Sequence, residues 1–499
     1  MHPLARSIAL ALCAAAPALC RAQPAQAAPP ATAAAPAQAA LAWEALAGRV
    51  ARDATAFLLR AQDPATGGWN VPPRGSQTPH LPAFTGLALN ALLMEPGGPS
   101  DPDAADRAAR FLLSLQGPDG GIHAGTLPTY NTAIAASALS RLGTAQASAA
   151  ADRAVDFLRA AQWGAAIGQG ASPAGGPEAP TPVPKEHPFF GGIGYGNRGR
   201  PDISNLAFFL QAMHDTGVPA DDPAFVSALG FLARLQMLER APDGTPVNPM
   251  PYAIGSAQGG FIYATGPGPQ GPAEGQSFAG QIDETLSDGS VASRLRAYGS
   301  VSYAGFKSLI YAGLTADDPR VHAVLGWARE HYTLAENPGI GADGYYYYLL
   351  MFARAMHASG SPTLDAARPE PLLTGAYWLP AGSADAQPTV LRAATPQAAA
   401  ALLALGSISI DGRPGTLSQV PPDFTPGPRD WRRDLTAALA ALQNPDGSFR
   451  SLDDRWLENN PVLVTSYALL ALQHARASAA LARPQPPADA HAAPGPAQP

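Results

Sequence analysis

The chain has 499 residues, of which 46% are hydrophobic and 14% are charged, so it holds enough apolar material for one large core or two ordinary ones and is not wholly disordered. It carries 32 Lys and Arg against 39 Asp and Glu, a formal net charge of −7, and its only lysines are Lys185 and Lys307. This composition excludes the basic stripe that nucleic-acid binding requires, so we expect no nucleic-acid partner.

The first 27 residues have the pattern of an export signal peptide. Arg6 precedes an apolar run over residues 8–19, and Ala25-Gln-Ala27 matches a small-x-small cleavage site. This run is too short to span a bilayer, and no later stretch reaches about 18 uninterrupted apolar residues, so we expect export to the periplasm or the exterior and no transmembrane segment. The only cysteines, Cys13 and Cys20, lie in the signal, so the mature chain is expected to lack disulfides, thiolate metal sites and a cysteine nucleophile.

Both ends of the mature chain are rich in Ala and Pro. We predict a linker over residues 28–40, a folded domain over 41–477 and a flexible tail over 478–499. Within the folded domain a single pattern recurs six times, a helical stretch that ends in Gln and is followed by Gly or Asp-Gly. The copies are FLLRAQ at 57–62, FLLSLQ at 111–116, FLRAAQ at 157–162, FLARLQ at 231–236, a degenerate WAREHY at 327–332 and LAALQ at 439–443.

A second helical stretch follows each copy, so the repeating unit is a helical hairpin of a length near that of helical repeat arrays. Such hairpins can stack as an open solenoid or close into a ring. We favour closure, because second helices such as 133–139 are apolar nearly all round, as an inner layer covered on both sides requires. Insertions are expected at about 163–190, 241–300 and 360–430. The second helices are predicted at 83–93, 130–142, 203–213, 303–312, 345–356 and 462–474.

The repeat, of the Gln-Asp-Gly-Gly-Trp type, resembles that of terpenoid cyclases, squalene-hopene cyclases and protein prenyltransferase β-subunits. The resemblance covers nearly all of 41–477 and implies an all-α fold, an α/α toroid of six hairpins with inner and outer helix rings, here with a small irregular or β-containing insertion at about 360–430. The motifs GIGYG at 192–196, RPDISN at 200–205 and YYYY at 345–348 resemble the secreted bacterial branch of the prenyltransferase/squalene oxidase repeat proteins, to which no activity is assigned.

Two departures from the family pattern limit which activities the resemblance implies. Squalene-hopene cyclases begin an inner helix with Asp-x-Asp-Asp, whose middle Asp protonates the isoprenoid, whereas the matching stretch here is Asp202-Ile203-Ser204-Asn205. A serine is too weak an acid to protonate an alkene. Prenyltransferases hold zinc through Asp, Cys and His, and the mature chain has no Cys, so we predict no metal and no cofactor.

Because all first helices run the same way, the six first-to-second connections must emerge at one end of the ring, where acids, arginines and aromatics converge. As catalytic candidates we take Asp202 as acid or base and Tyr303 and Asp454 as groups that stabilise a cation. Arg200 is the candidate anion holder. The remaining ligand-binding candidates are Arg198, Asn205, Lys307, Tyr345 and Trp456.

Each candidate also has a purely structural interpretation. Asp202 follows Pro201 and is most simply a helix cap. The two arginines are also explained by surface solvation or by pairing with Asp202. Tyr345 belongs to a run of four tyrosines that covers all sides of a helix, so two at most can face a cavity. Tyr303 and Lys307 lie four residues apart on one face, which also fits a tyrosine packed under a lysine.

We therefore predict an exported repeat protein that binds an apolar or isoprenoid-type ligand in its central cavity, without proton-initiated cyclisation. An alternative is an exported polysaccharide lyase on a similar toroid, in which Arg198, Arg200 or Lys307 removes a proton beside a uronate carboxylate. A third possibility is a scaffold whose 360–430 insertion docks a protein partner through residues 377–379 and 407–410. An isoprenoid site predicts an aromatic cavity, a lyase predicts an open basic cleft, and a scaffold predicts an exposed apolar patch.

Overall fold

A computed structural model describes the following parts of the chain: residues 35–73, 75–164, 183–196, 200–268, 271–286, 288–381, 388–393, 395–421, 424–451 and 454–481. The chain divides into a unit of residues 1–42, of which only 35–42 are described, and a unit of residues 43–499, which contains every contact discussed below. The predicted signal peptide lies outside the described residues. Helical structure extends into both predicted flexible ends, from residue 35 and as far as residue 481.

The described residues are mostly helical and contain thirteen α-helices. No described helix is long and apolar enough to cross a membrane. The helices are α1 (Ala35–Ala61), α2 (Ala83–Leu93), α3 (Pro102–Ser114), α4 (Pro128–Ser140), α5 (Ala145–Ala161), α6 (Ile203–Asp215), α7 (Pro223–Leu235), α8 (Gly299–Tyr311), α9 (Pro319–Glu330), α10 (Tyr345–Ala358), α11 (Pro396–Ala404), α12 (Trp431–Leu442) and α13 (Pro461–Leu481).

Six of these helices contact one another in cyclic order. Helix α2 packs against α4, α4 against α6, α6 against α8, α8 against α10, α10 against α13, and α13 against α2 again. These are the predicted second helices, and α4 shows why they lie inside: every residue from 131 to 139 is buried, so all its sides are covered. We call these six the inner helices. The cycle of contacts is closed by α13 and α2, which are far apart in the sequence.

The first helices of the hairpins are amphipathic and bury one face only. Helix α3 is typical, since Asp101 caps its N-terminus by accepting from the backbone N–H of Ala104 and its charged residues lie on the opposite side from its buried ones. Its buried residues recur at helical spacing and are Ala104, Ala105, Ala108, Ala109 and Leu112. We call α1, α3, α5, α7, α9 and α12 the outer helices.

The repeat glutamines tie each outer helix to the next. In five copies the side-chain Nε2 donates two hydrogen bonds, at 2.8–3.2 Å, to backbone carbonyls. One carbonyl belongs to the glycine turn that follows the copy, and the other to the next outer helix. We call these pairs the Gln links; they join Gln62 to Gly67 and Ala104, Gln116 to Gly120 and Ala150, Gln162 to Gly191 and Ala224, Gln236 to Gly259 and Arg320, and Gln443 to Gly447 and Val50.

The degenerate copy makes an equivalent tie with different atoms. Tyr332 stands where the other copies have Gln, and its hydroxyl donates to Asp434 Oδ2 in the first turn of α12 at 3.0 Å. Helix α12 is the next outer helix after α9. The last Gln link then runs from Gln443 to Val50 in α1, so the six ties complete a circuit of the outer helices.

Glycine is required where the turns approach the next outer helix. Gly191 has φ = 83°, and a Cβ there would lie 1.9 Å from the backbone oxygen of Ser227. Gly447 has φ = 85°, and its Cβ would lie 2.1 Å from the backbone oxygen of Asp53. The left-handed conformation and the missing side chain are therefore both needed for the turn to reach its neighbour.

Two segments add β-structure to the helical core. The expected insertion after α7 forms two antiparallel hairpins, β1 (Ala264–Gly268) with β2 (Gly271–Gln276) and β3 (Gln281–Thr285) with β4 (Val291–Leu295). The 360–430 insertion contains β5 (Thr363–Ala366), β6 (Gly375–Pro380), β7 (Thr389–Arg392), β8 (Ser407–Ile410), β9 (Arg413–Ser418) and β10 (Gly427–Asp430). Four of them form a sheet in the order β7-β6-β9-β8, and β5 pairs with β10.

The structure does not present the aromatic residues of this insertion as a docking surface. Tyr377 and Trp378 lie in β6, which is flanked by β7 and β9, and both side chains are buried. Tyr377 packs against Ala335 and Leu372 in a small core of its own. Trp378 Nε1 also donates to the backbone oxygen of Ile408 in β8 at 3.2 Å, so these two residues hold the insertion together.

The Gln links predict a specific loss of stability. In a Gln162→Met variant the buried carbonyls of Gly191 and Ala224 lose their donor at constant side-chain volume, which we expect to lower the free energy of unfolding by about 2–3 kcal/mol, measured by urea denaturation. Gln146→Met, at an exposed position of the same helix, is the control and should change it by less than about 0.5 kcal/mol. Equal effects of the two substitutions would contradict the role of the links.

Candidate functional site

The inner helices begin at one end of the ring, and side chains from that end satisfy their free N–H groups. Such groups would otherwise remain unpaired in the protein interior. The caps come from several different elements, so this end of the ring is densely hydrogen-bonded. The pairs are Ala83 N–H to Asn131, Asn205 N–H to Asp202, Ser300 N–H to Asn337, Tyr347 N–H to Glu458 and Val462 N–H to Asn460, at 2.8–2.9 Å.

A cavity of about 260 Å³ lies inside the ring at this end. The first two turns of all six inner helices contribute to its wall, together with loop residues, and we call it the aromatic chamber. Its volume is slightly below the range of about 300–1,000 Å³ that is usual for small-molecule sites. The lining residues are Leu81, Phe84, Leu127, Tyr130, Tyr195, Ser204, Phe208, Tyr263, Tyr298, Ser300, Val301, Tyr347, Trp456, Leu457, Glu458, Leu463 and Tyr467.

Most of the wall is aromatic or aliphatic, and its tyrosines are bonded or packed against one another. The hydroxyls of Tyr130 and Tyr467 lie 3.1 Å apart, within hydrogen-bond distance. The ring of Tyr130 meets that of Phe208 edge-on at 5.3 Å, and Phe208 contacts Tyr347 at 6.1 Å. Burial raises the pKa of Tyr347 and Tyr263. The tyrosines are therefore neutral and offer rings and undissociated hydroxyls to the interior.

Asp202 lies behind the wall of the chamber and acts as the cap of α6. Its Oδ1 accepts from the backbone N–H of Asn205 at 2.9 Å and its Oδ2 from the side chain of Asn205 at 2.7 Å. Burial raises the pKa of Asp202 to about 6, although the bonds from Asn205 and an interaction with Tyr263 work in the opposite direction. The structure thus agrees with the cap interpretation of Asp202, whereas the predicted acid or base facing the cavity is not found among the residues of the chamber wall.

Glu458 is the carboxylate that lines the chamber, and it is absent from the sequence candidates. It is 1% exposed, and its two oxygens accept from the backbone N–H groups of Tyr346 and Tyr347 at 3.2 and 2.8 Å. It therefore caps α10 from a separate loop. The sequence does contain a signal for a cap here, because Glu458 lies three residues before Pro461, where α13 begins. It does not show that Glu458 caps α10 and not α13.

Trp456 lines the chamber and is also 42% exposed to solvent. It has a left-handed backbone, with φ = 57°, as does Leu457, with φ = 68°, and both side chains are partly exposed. Two consecutive residues in this conformation indicate a backbone held by its surroundings. Arg455 stacks on the rings of Trp456 and Phe278, with its Cζ at 4.4 and 4.7 Å. Asp454 immediately precedes Arg455 in the chain, and its side chain is exposed and does not line the chamber.

The structure places two sequence candidates on α8 away from the chamber. Helix α8 begins at Gly299, so Ser300 and Val301 face the cavity. Tyr303 comes two residues later, about 200° further round the helix, and its ring packs against Trp327 of α9 and Phe352 of α10. A cation in the chamber would therefore not meet Tyr303. Lys307, one turn further on, is also fully buried below the chamber.

The other ligand-binding candidates occupy separate positions. Of the four consecutive tyrosines, Tyr347 lines the chamber, whereas the ring of Tyr345 is buried 4.2 Å from the guanidinium of Arg392 in the insertion. Asn205 is buried and bonded to Asp202. Arg200 is exposed and donates to the side chain of Gln276 in β2. Arg198 lies outside the described residues.

Among the residues that the structure describes, no group of three or more His, Cys, Asp or Glu side chains is placed to hold a metal ion. The described chamber wall likewise includes no Lys or Arg. The open basic cleft that a polysaccharide lyase predicts is therefore not the feature found at this end of the ring.

The pKa of Asp202 predicts a pH dependence of stability. Because the folded-state pKa is about 6, above the usual value of 3.8, the folded protein binds a proton more tightly than the unfolded chain. Between about pH 4 and pH 6 this residue should cost the fold up to roughly 3 kcal/mol as the pH rises.

In the Asp202→Asn variant the side chain at this position does not titrate, and its amide oxygen can still accept the hydrogen bond that caps α6. We expect the stability of the wild type relative to this variant to be greatest at pH 4 and to fall as the pH rises to 7, as followed by urea unfolding at several pH values. A relative stability that increases with pH would show instead that Asp202 is a simple ionised cap.

The chain was compared with protein families, curated proteins and solved structures. No protein-family model matches the chain, and no curated protein matches it. Among solved structures, the chain is similar to the apo type II terpene cyclase MstE from Scytonema, with 15% sequence identity, 87% of this chain and 99% of that chain covered, and a TM-score of 0.40. A variant of that enzyme in complex with its substrate, geranylgeranyl dihydroxybenzoate, gives 12% identity, 88% and 99% coverage and a TM-score of 0.28. These likenesses are too distant to carry an inference about function.

Proposed function

We propose that the protein is exported and that it binds an apolar, isoprenoid-type ligand in the aromatic chamber at the centre of a six-hairpin α/α toroid. The observation that carries this proposal is the chamber itself, an internal cavity whose wall combines six tyrosines with phenylalanine, tryptophan, leucine and valine. A wall of this kind stabilises an apolar ligand by removing its surface from water, at roughly 25 cal/mol per Å². The toroid is supported by the cyclic contacts of the inner helices and the circuit of ties between the outer ones.

The polar groups of the chamber are arranged to bind a ligand rather than to protonate an alkene. Ser204 lines the chamber at the position that corresponds to the catalytic acid of the squalene-hopene cyclases in the sequence resemblance. Glu458 faces the chamber, but its oxygens are engaged by two backbone N–H groups. Asp202 lies behind the wall. No acid of the described wall is thus free for an alkene, and we propose ligand binding without cyclisation.

The aromatic rings also fit the flexible shape of an isoprenoid chain. Phe208, Tyr347 and Tyr467 form a continuous series of ring contacts at 6.1 Å along one side of the chamber. Branched methyl groups pack well against such faces, and the neutral tyrosine hydroxyls need no counter-ion. A polar sugar chain would leave its many hydroxyls without partners in the same space, at a cost of about 1–3 kcal/mol for each.

Filling the chamber tests the proposal. Val301 is 1% exposed and lines the cavity, so a Val301→Phe substitution places a ring in the space that a ligand would occupy. We expect the mature protein to bind farnesol in equilibrium dialysis, and Val301→Phe to weaken that binding at least tenfold because the cavity volume is lost.

The matched control is Val301→Ile, which adds a single methylene and should leave farnesol affinity within about threefold of the wild type. Thermal unfolding of both variants establishes that they are folded. Absence of farnesol binding by the wild type, or equal binding by the Phe and Ile variants, would contradict a ligand site in the chamber.

A further inference from the structure

A second group of polar residues lies inside the ring, toward the C-terminal ends of the inner helices. Lys307 of α8, Arg354 of α10 and His474 of α13 are each at most 3% exposed. We call these three residues the basic cluster. Each member lies about two helical turns beyond the last residue of its helix that lines the chamber, away from the helix caps, and the proposed apolar ligand does not account for it.

Arg354 is the unusual member of the basic cluster. It is 2% exposed, and its Nε and Nη1 atoms are buried without a hydrogen-bond partner in the described structure. The neighbour of its guanidinium is the face of the Phe208 ring, 5.7 Å from Cζ. These two atoms carry three of the five N–H donors of the guanidinium, and donors of a charged group left unpaired in the interior are costly, so such an arrangement calls for a partner.

The surrounding residues do not supply that partner. Lys307 donates to the backbone oxygen of Ala207 at 2.8 Å and to Gln211 Oε1 at 3.1 Å, which are neutral groups, and burial beside Arg354 lowers its pKa. Asp215 is the carboxylate that interacts electrostatically with Arg354, but its Oδ1 accepts from Gln211 at 3.0 Å and lies 3.6 Å from Arg141. One carboxylate is thus shared between two arginines, and it gives Arg354 Nε and Nη1 no hydrogen bond.

His474 adds a further unused hydrogen-bonding atom. Its Nδ1 is buried without a partner among the described residues, and its ring lies 5.1 Å from that of His357. Burial, with the nearby Arg354 charge, lowers the pKa of His474, so the imidazole is neutral and can donate one hydrogen bond. An anion placed here would gain a donor from each member of the basic cluster.

The basic cluster adjoins the aromatic chamber. Phe208, whose face covers Arg354, is part of the chamber wall, as are Tyr130 and Tyr347, which interact electrostatically with Arg354. One aromatic ring thus separates the guanidinium from the chamber. A rotation of the Phe208 side chain would expose the guanidinium to the chamber.

We propose that Arg354, assisted by Lys307 and His474, forms a subsite that binds the oxyanion, a carboxylate or phosphate, of an amphiphilic ligand. This rests on the proposed function, since the apolar part of the ligand occupies the aromatic chamber. The planar guanidinium offers two parallel N–H donors to two oxygens of such a group, and the low-polarity surroundings strengthen the interaction. The carbonyl of Ala207 in α6 and the side chain of Gln211 satisfy Lys307, whereas Arg354 Nε and Nη1 have no partner among the described residues, so a structural role does not account for them.

Two ligands that differ only in the head group test this subsite. Farnesol and farnesoate are compared by equilibrium dialysis at pH 7.5 with the mature wild type, with Arg354→Met, which removes the charge at similar volume, and with Arg354→Lys, which retains it. We expect the wild type to bind farnesoate at least tenfold more tightly than farnesol. In Arg354→Met the preference should fall below about twofold with farnesol affinity unchanged, and in Arg354→Lys part of it should remain.

Equal affinity of the wild type for the two ligands, or a preference that survives in Arg354→Met, would overturn the subsite. The melting temperature measured with inorganic phosphate alone shows whether the subsite binds a free anion or only the head group of an amphiphilic ligand. If neither farnesol nor farnesoate binds but phosphate stabilises the wild type and not Arg354→Met, the subsite stands for a free anion and the proposed function fails. If phosphate and farnesoate both leave the wild type unchanged, the subsite is wrong, whatever farnesol does.

Discussion

The architecture depends on a side-chain amide that donates to two backbone carbonyls at once. Each Gln link joins the turn that follows one outer helix to a backbone carbonyl of the next outer helix, so the position of one hairpin sets the position of its neighbour. Because the carbonyls are buried, an unpaired one would cost about 1–3 kcal/mol, which makes each link a strong constraint. The last link joins Gln443 to Val50, residues that are near opposite ends of the folded chain.

Closure of the ring has consequences for its interior. It brings the N-termini of the inner helices together, and their N–H groups need acceptors such as Asp202, Asn337 and Glu458. These acceptors use their oxygens on backbone groups, so the space between the helices is left to aromatic side chains. Asp202 and Glu458 serve as helix caps at this end. Buried polar atoms without a partner among the described residues occur both there, as Asn205 Oδ1 and Tyr347 Oη, and in the basic cluster, as Arg354 Nε and Nη1.

Much of this arrangement is predictable from local sequence, and the limits are physical. The inner helices follow from their apolar pattern, and helix α6 (Ile203–Asp215) and helix α2 (Ala83–Leu93) begin at the predicted residues. The residues of the site are harder to predict from the sequence than the helices. Whether Tyr303 or Val301 faces the cavity depends on where α8 starts, and this helix begins four residues before the predicted start at 303. Glu458 caps a helix distant in sequence, and no local pattern encodes such a contact. The hairpins after α7 lack the alternating apolar pattern of buried strands, since β3 is largely exposed.

The central claim is that the ring of hairpins encloses a chamber occupied by an apolar ligand in the cell. Native mass spectrometry of the mature protein, purified from the envelope of the cells that make it and measured before and after mild organic extraction, tests this most directly. The account predicts a bound small molecule that is lost on extraction and is absent from the Val301→Phe variant purified in parallel. A wild-type protein that carries no ligand, or an adduct that persists unchanged in the filled-chamber variant, would contradict it.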